Sequence, residues 1–145
     1  MSDPLPINPA VMLHFDWEKV HGAVIAGVVG QPGYYTTGGI FWWRLAILLE
    51  DKAIRISVNN DTDELIVTLE STVLPIDDEP LDLPWIDVAP LAALVGRELG
   101  WSWNACNSQG YLDAFSIAID GIDPDYMFVG LASAVEIRKI ARVDC

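Results

Sequence analysis

The sequence predicts an α+β domain: a mostly antiparallel sheet in the order β-β-β-β-α-β-β-β, with one main helix packed on one face. Three observations carry that expectation. Short segments with period-two alternation follow one another through tight turns, as antiparallel strands do. One stretch carries an apolar stripe at helical spacing. A helix with one such stripe covers one sheet face. With 145 residues, a single domain over residues 1–145 is expected.

The elements follow in order. Residues 1–13 contain Pro4, Pro6 and Pro9 and read as an extended arm. "GAVIAGVVG", residues 22–30, is short, apolar and rich in Val and Gly, which suits a strand. "QPGYYTTGG" is turn chemistry, punctuated by Pro32-Gly33 and Gly38-Gly39. "IFWWRLAILLE" alternates, with Phe41, Trp43, Leu45, Ile47 and Leu49 on a wholly apolar face. After the turn "EDK", "AIRISVN" turns Ile54, Ile56 and Val58 inward. "ELIVTLE" turns Leu65, Val67 and Leu69 inward and completes an antiparallel meander. Residues 72–87 hold three prolines and five acids and form a connection.

"DVAPLAALVGRELG" then reads as the helix. Asp87 caps it, Pro90 sits in its first turn and Gly100 ends it. Leu91, Leu94, Val95 and Leu99 give the apolar stripe. "WSWNACNSQGYLDAFSIAIDG" follows as a hairpin about the turn "NSQG", and "YMFVGLASAVEIRKIARV" closes the chain with one or two strands.

Composition excludes several classes. Apolar residues make up 52% of the chain, which rules out a disordered polymer. The best apolar run, "IFWWRLAILL", is ten residues long with Arg44 inside it, too short for a membrane span. The segment "MSDPLPINPA" lacks the charged and apolar regions of a signal peptide, so a cytoplasmic location is expected. The two cysteines, Cys106 and Cys145, are too few for a disulfide framework and read as free thiols. Cys106 shares its strand with two tryptophans and reads as a small buried filler.

Charge says more. The net charge is −13, and from Ile56 to Gly96 there are nine acids and no base. From Glu98 to Ile137 there are six more acids and again no base. Such a surface repels nucleic acid and anionic lipid. It attracts a basic partner and speeds encounter with it, besides keeping the chain soluble.

"NNDTDELIVTLE", residues 59–70, has the oxygen-ligand order of an EF-hand loop, with Asn59, Asp61 and Asp63 at positions 1, 3 and 5 and Glu70 at 12. Position 6, where that loop needs Gly, is Glu64, and alternating segments flank it. On a straight strand Glu70 stands roughly 20 Å from Asp63, at about 3.3 Å per residue. A hairpin turn explains the stretch better. His14 and His21, near Asp16 and Glu18, would face one metal only on a helix, and this segment reads partly as strand. "GVVGQPG" lacks the Lys and the helix of a phosphate loop. No motif places a Ser or Cys for nucleophilic work, and the many carboxylates single out no acid/base pair. The expectation is therefore no catalytic residue, no metal and no cofactor.

Two recognition surfaces remain. One joins the acids Asp61, Asp63, Glu64, Asp77, Asp78 and Glu79 to the turn residues Asn107, Gln109, Tyr111 and Asp113, for a basic protein partner. The alternative is a small-ligand or cation pocket between sheet and helix, lined by Trp42, Trp101, Trp103 and Tyr111. The aromatic content also suits a homodimer formed through an exposed sheet face or edge.

Three segments carry a resemblance. They are "DTDELIV" after an alternating strand, "W-x-W-N-x-x-N-x-Q-G-Y-x-D" after the Leu-rich helix, and the final "S-A-V-E-I" strand. Over residues 40–140 the chain resembles a bacterial family of small acidic proteins of unknown function, some of which look like immunity partners of contact-dependent toxins. The resemblance supplies no catalytic residue. It implies a non-catalytic α+β module that binds a basic protein, such as a toxin or a nucleic-acid-binding protein.

Overall fold

The structure, a computed structural model, describes residues 12–71 and 83–143. Nine strands form among these residues: β1 (Gly27–Tyr34), β2 (Ile40–Leu48), β3 (Ala53–Val58), β4 (Leu65–Glu70), β5 (Ile86–Asp87), β6 (Leu99–Cys106), β7 (Leu112–Ile119), β8 (Pro124–Leu131) and β9 (Ala134–Lys139). They make one antiparallel sheet in the order β4-β3-β2-β9-β8-β7-β6, with β1 paired to β2 and β5 paired to β1. The sheet curls into a half-barrel in which β4 approaches β7 across the core.

The fold is therefore nearly all-β, not α+β, and the expected helix over residues 87–100 does not form. Asp87 lies in β5, where it pairs with Val29, and gives no cap. Ala89–Leu94 makes a 3-10 helix of six residues whose N-cap, Val88, has no side-chain oxygen to offer. Val95 is already extended, and Gly96 turns the chain at φ +87°. Residues 96–99 are then held as extended chain by residues 23–25: Gly96 donates to Ile25, Ile25 to Arg97, and Leu99 to Ala23. Each of these bonds satisfies a backbone group that a helix would have satisfied locally. The apolar stripe survives in part. Leu91 and Leu94, three apart, suit the 3-10 repeat and are both buried, whereas Val95 is exposed and Leu99 enters the core from β6.

The β2 strand is the hub. Along one edge it pairs with β1 over its full length. Along the other, Leu45 to Leu48 pair with β3, while Trp42 pairs with Val135 of β9. A bulge falls at Trp43: Gln31 pairs with Arg44 but Pro32 pairs with Trp42. This extra residue breaks the expected alternation. Trp42 joins Leu45 and Ile47 in the main core, and Trp43 packs edge-on against Phe41, which in turn lies 4.7 Å from Tyr35. Pro32 and Gly33, expected in a turn, belong to β1. Proline, which cannot donate to a ladder, is tolerated beside the bulge.

The glycines of "GVVGQPG" explain how these large rings fit. A Cβ on Gly30 would stand 2.5 Å from the Trp42 ring, 2.8 Å from Leu45 and 3.0 Å from the Arg44 carbonyl. The core continues through the other half of the sheet. Phe115 and Phe128, paired across β7 and β8, stack with centroids 6.2 Å apart. Trp17 meets Phe115 edge-on at 5.7 Å and donates its indole N–H to the Gly100 carbonyl at 2.8 Å. Gln31, buried among apolar neighbours, is satisfied at both ends: it donates to the Leu83 carbonyl at 2.9 Å and accepts from Arg44 at 3.2 Å.

Met12 and Leu13, the end of the expected N-terminal arm, lie beside β4. Leu13 bridges to Val67 in parallel, and Val67 donates to the Met12 carbonyl. The rest of that arm falls outside the described residues. No helix among the described residues is long and apolar enough to cross a membrane.

Gly30→Ala is expected to lower stability by about 1–3 kcal/mol, as overpacking of a filled core does. Urea unfolding followed by tryptophan fluorescence measures it.

Candidate functional site

Three hairpin turns meet at one end of the half-barrel, and polar side chains lock them together. The first is residues 59–64, between β3 and β4. Asn59 accepts from the backbone N–H of Asp61 at 2.8 Å and donates its own N–H to the Glu64 carbonyl, so the stretch is a hairpin turn. Asp63 sits at φ +61°, the left-handed conformation that Asn and Asp tolerate best among residues with side chains. The second turn, residues 107–111, is organised by Asn107. Its side-chain oxygen accepts from Gln109 and Tyr111, and its amide donates to Asp113 at 2.9 Å. The third is Ala132-Ser133 between β8 and β9, with φ +50° and +67°.

Two carboxylates tie these turns together. Glu64 accepts from the backbone N–H of Leu112 at 2.9 Å. Asp63 accepts from the Ser133 backbone N–H at 2.9 Å and from its hydroxyl at 3.3 Å. A two-residue turn with both residues left-handed normally takes Asn-Gly. Here Ala-Ser adopts it, and Asp63 holds it from another hairpin.

The sequence-predicted recognition residues thus divide by role. Asp61, Asp63 and Glu64 stand at the same end as Asn107, Gln109, Tyr111 and Asp113. Asp63, Glu64, Asn107 and Asp113 are engaged in holding the turns, while Asp61, Gln109 and Tyr111 are exposed. Asp77, Asp78 and Glu79 lie outside the described residues. Within residues 59–66, 104–114 and 130–134 there are four acids, Asp61, Asp63, Glu64 and Asp113, and no base. Cys106 is exposed, not a buried filler, because the whole end of the β6–β7 hairpin, residues 104–111, stands out in solvent.

The four aromatics of the alternative pocket are distributed. Trp42 lines a hollow at the β2–β9 seam and Trp101 lines another beside Asp120. Trp101 and Trp103 lie 6.5 Å apart, Trp101 being 52% exposed, and Tyr111 stands on its turn. The pocket reading needs Trp101 and Trp103 to face inward, but a bulge between Leu99 and Ser102 shifts the alternation of β6. That bulge sets Ser102 and Asn104 opposite the buried Ile117 and Phe115.

The histidines also separate. His14 borders a hollow with Asn59 and Glu64, and His21 borders the hollow with Glu98 and Asp120. The segment between them holds only the short 3-10 helix Trp17–Lys19, so no helical face unites them. Asp120 accepts from the Glu98 backbone N–H at 2.8 Å and from the Arg97 guanidinium. These bonds, the first foremost, hold its carboxyl below the usual range and tie the β7–β8 turn to the chain entering β6. Among the described residues, no three His, Cys, Asp or Glu side chains gather as a metal site.

One contact escaped sequence reasoning altogether. The Tyr35 hydroxyl, in the β1–β2 turn, donates to Glu136 of β9 at 2.6 Å, and Arg138 donates to the other Glu136 oxygen at 2.5 Å. The phenol and the carboxylate shift in opposite senses: the hydrogen bond to Glu136 raises Tyr35, and the bond from Tyr35, then that from Arg138, lowers Glu136. Tyr35 and Glu136 are 101 residues apart, and no local pattern links them.

A family model matches residues 11–144, nearly the whole span from the end of the proline-containing arm onward. The chain belongs to the family of unknown function DUF6334. The expected membership of a family of unknown function is met in that form, and the match says nothing of immunity proteins. No curated protein and no solved structure matches the chain.

Asp63→Ala is expected to lower stability by about 1.5–3 kcal/mol, the range for hydrogen bonds to a charged group, whereas Asp61→Ala changes it by less than about 0.5 kcal/mol. Parallel urea titrations of the two variants separate a turn-holding acid from a solvated one.

The Tyr35–Glu136 contact sets a pH window. A lowered carboxylate contributes stability that is lost as pH falls through its folded pKa, and a raised phenol contributes stability that is lost as pH rises through its own. The contact therefore favours the fold between roughly pH 4.3 and 10, the ordinary Glu and Tyr values. In a phenolate absorbance titration, Tyr35→Phe is expected to remove a tyrosine that ionises above the ordinary value. An unchanged alkaline limb would show that the contact does not form in solution.

Proposed function

We propose that this protein is a non-catalytic binding module that holds a basic protein partner at the end where the three hairpin turns meet. The observation that carries the reading is the juxtaposition of residues 59–64 with residues 107–113 through the Glu64–Leu112 hydrogen bond. Two segments far apart in sequence, both acidic and free of bases, become one surface. Its frame is tied together because Asp63, Glu64 and Asn107 make their hydrogen bonds inside the molecule. The exposed Asp61, Gln109 and Tyr111 are left to meet a partner.

An aromatic anchor beside adaptable polar groups suits protein recognition, and clustered negative charge steers a basic partner toward it. The net charge of −13 extends that field over the molecule. The resemblance to immunity partners of toxins adds a candidate class. Toxins that act on nucleic acid, and nucleic-acid-binding proteins generally, carry the basic surfaces that such an acidic face complements.

The test is a pull-down with the tagged chain, in wild-type and Asp61→Lys forms, at low and high salt. A basic protein retained by wild type at low salt, released at high salt and depleted several-fold by Asp61→Lys supports the reading. Retention that ignores both salt and Asp61→Lys removes it.

A further inference from the structure

We propose that the hollow at the β2–β9 seam is a binding site for an amphipathic monoanion, an organic carboxylate with an aliphatic or aryl body. The hollow arises from the topology. β2 and β9 pair at Trp42 and Val135 alone, and on one side of that pair Ile40 and residues 136–139 diverge. The wedge between them is closed below by Pro90 and Leu91 of the 3-10 helix. Its volume is about 310 Å³. That lies at the lower end of the roughly 300–1,000 Å³ typical of small-ligand sites.

The lining has one polarity at the bottom and another at the mouth. Trp42 and Leu91 are buried, and Ile137 packs against the core. Above them stands Lys139. The strand β9 alternates, with Val135, Ile137 and Lys139 on the inner row and Glu136 and Arg138 on the outer. Lys139 thus occupies a register position that the same strand otherwise gives to apolar core residues. It pairs across the ladder with Tyr126, its Nζ 6.0 Å from the ring centroid. Among the described residues no carboxylate lies within ion-pair distance of Lys139. Neither its ammonium nor the Tyr126 hydroxyl makes a hydrogen bond to another described residue. Glu136 also borders the hollow, but its two oxygens are taken by Tyr35 and Arg138.

A cation with no ion-pair partner among the described residues and a tyrosine therefore border a small hollow with an apolar, aromatic floor. A carboxylate head would take a charge-assisted hydrogen bond from Lys139, and an apolar body would cover Trp42, Leu91 and Ile137. A neutral ligand of the same shape would forfeit the first term, and a cation would be repelled by Lys139. This site is separate from the acidic end, which carries the proposed protein interaction.

The probe is decanoate, kept below its aggregation limit, with decan-1-ol as the neutral control, and binding is followed by calorimetry and by tryptophan fluorescence. Decanoate is expected to saturate at one per chain and to bind about tenfold more tightly than decan-1-ol. Lys139→Gln should weaken decanoate by about tenfold and leave decan-1-ol unchanged. Ile40→Glu, which sets an acid at the exposed rim, should weaken decanoate selectively as well. Both substitutions are at exposed positions, and circular dichroism checks that the fold is retained. Absence of saturable decanoate binding overturns the proposal. So does equal affinity in wild type and Lys139→Gln, which would leave Lys139 as a charge guarding the strand edge that opens at the seam.

Discussion

The structure depends on one strand having three partners. β2 takes β1 along one edge and divides its other edge between β3 and β9. A strand in that position has both edges taken, and Phe41, Trp42, Leu45, Ala46 and Ile47 are buried, so it must be apolar nearly throughout. "IFWWRLAILL" is, but for Arg44, whose guanidinium reaches the Gln31 side chain. The bulge at Trp43 follows from the same demand. It lets two adjacent tryptophans go to different clusters, which regular pleating alone would also do, but in the opposite assignment. Trp42 reaches the main core only because the extra residue shifts the alternation and because Gly30 leaves space for its ring.

The junction with β9 is slight in backbone terms and reinforced by side chains. One ladder pair joins the strands, and the Tyr35–Glu136 hydrogen bond fastens the β1–β2 turn to the outer side of β9. The same divergence that makes the junction short opens the hollow below Lys139. The slight junction and the ligand-sized space thus come from one geometric fact: two strands of a strongly curled sheet part after a single contact.

At the far end, acids do structural work that a charge count hides. Asp63 and Glu64 read from sequence as surface charges for a partner. In the fold each accepts a backbone N–H from another hairpin, and Asp63 holds a two-residue turn in a conformation that Ala and Ser would not choose alone. An acidic surface of this kind combines a fixed frame with a few free groups. Among the described residues, the side chains of Asp61 and Tyr111 take no such part and stay exposed.

Local information in the sequence settled the period-two segments. The strands of "AIRISV", "LIVTLE" and the "NSQG" hairpin could be read directly, because alternation of buried and exposed side chains is a property of a few consecutive residues. The hairpin nature of "NNDTDE" was legible for the same reason: Glu64 stands where a calcium loop needs glycine. The missing helix was not legible. Residues 87–99 carry caps, a proline and a leucine stripe that suit a helix, and only competition from β1 and residues 23–25 for their backbone groups draws them into extended chain. The facing of Trp42, Trp101 and Trp103 was hidden too, since a one-residue bulge reverses every expectation downstream of it. The inward place of Lys139 could have been counted from "AVEIRK", but its meaning could not. Whether a lysine on an inner row meets solvent, an acid or a hollow is decided by a strand nearly a hundred residues away in the chain, and by the curl that brings it near.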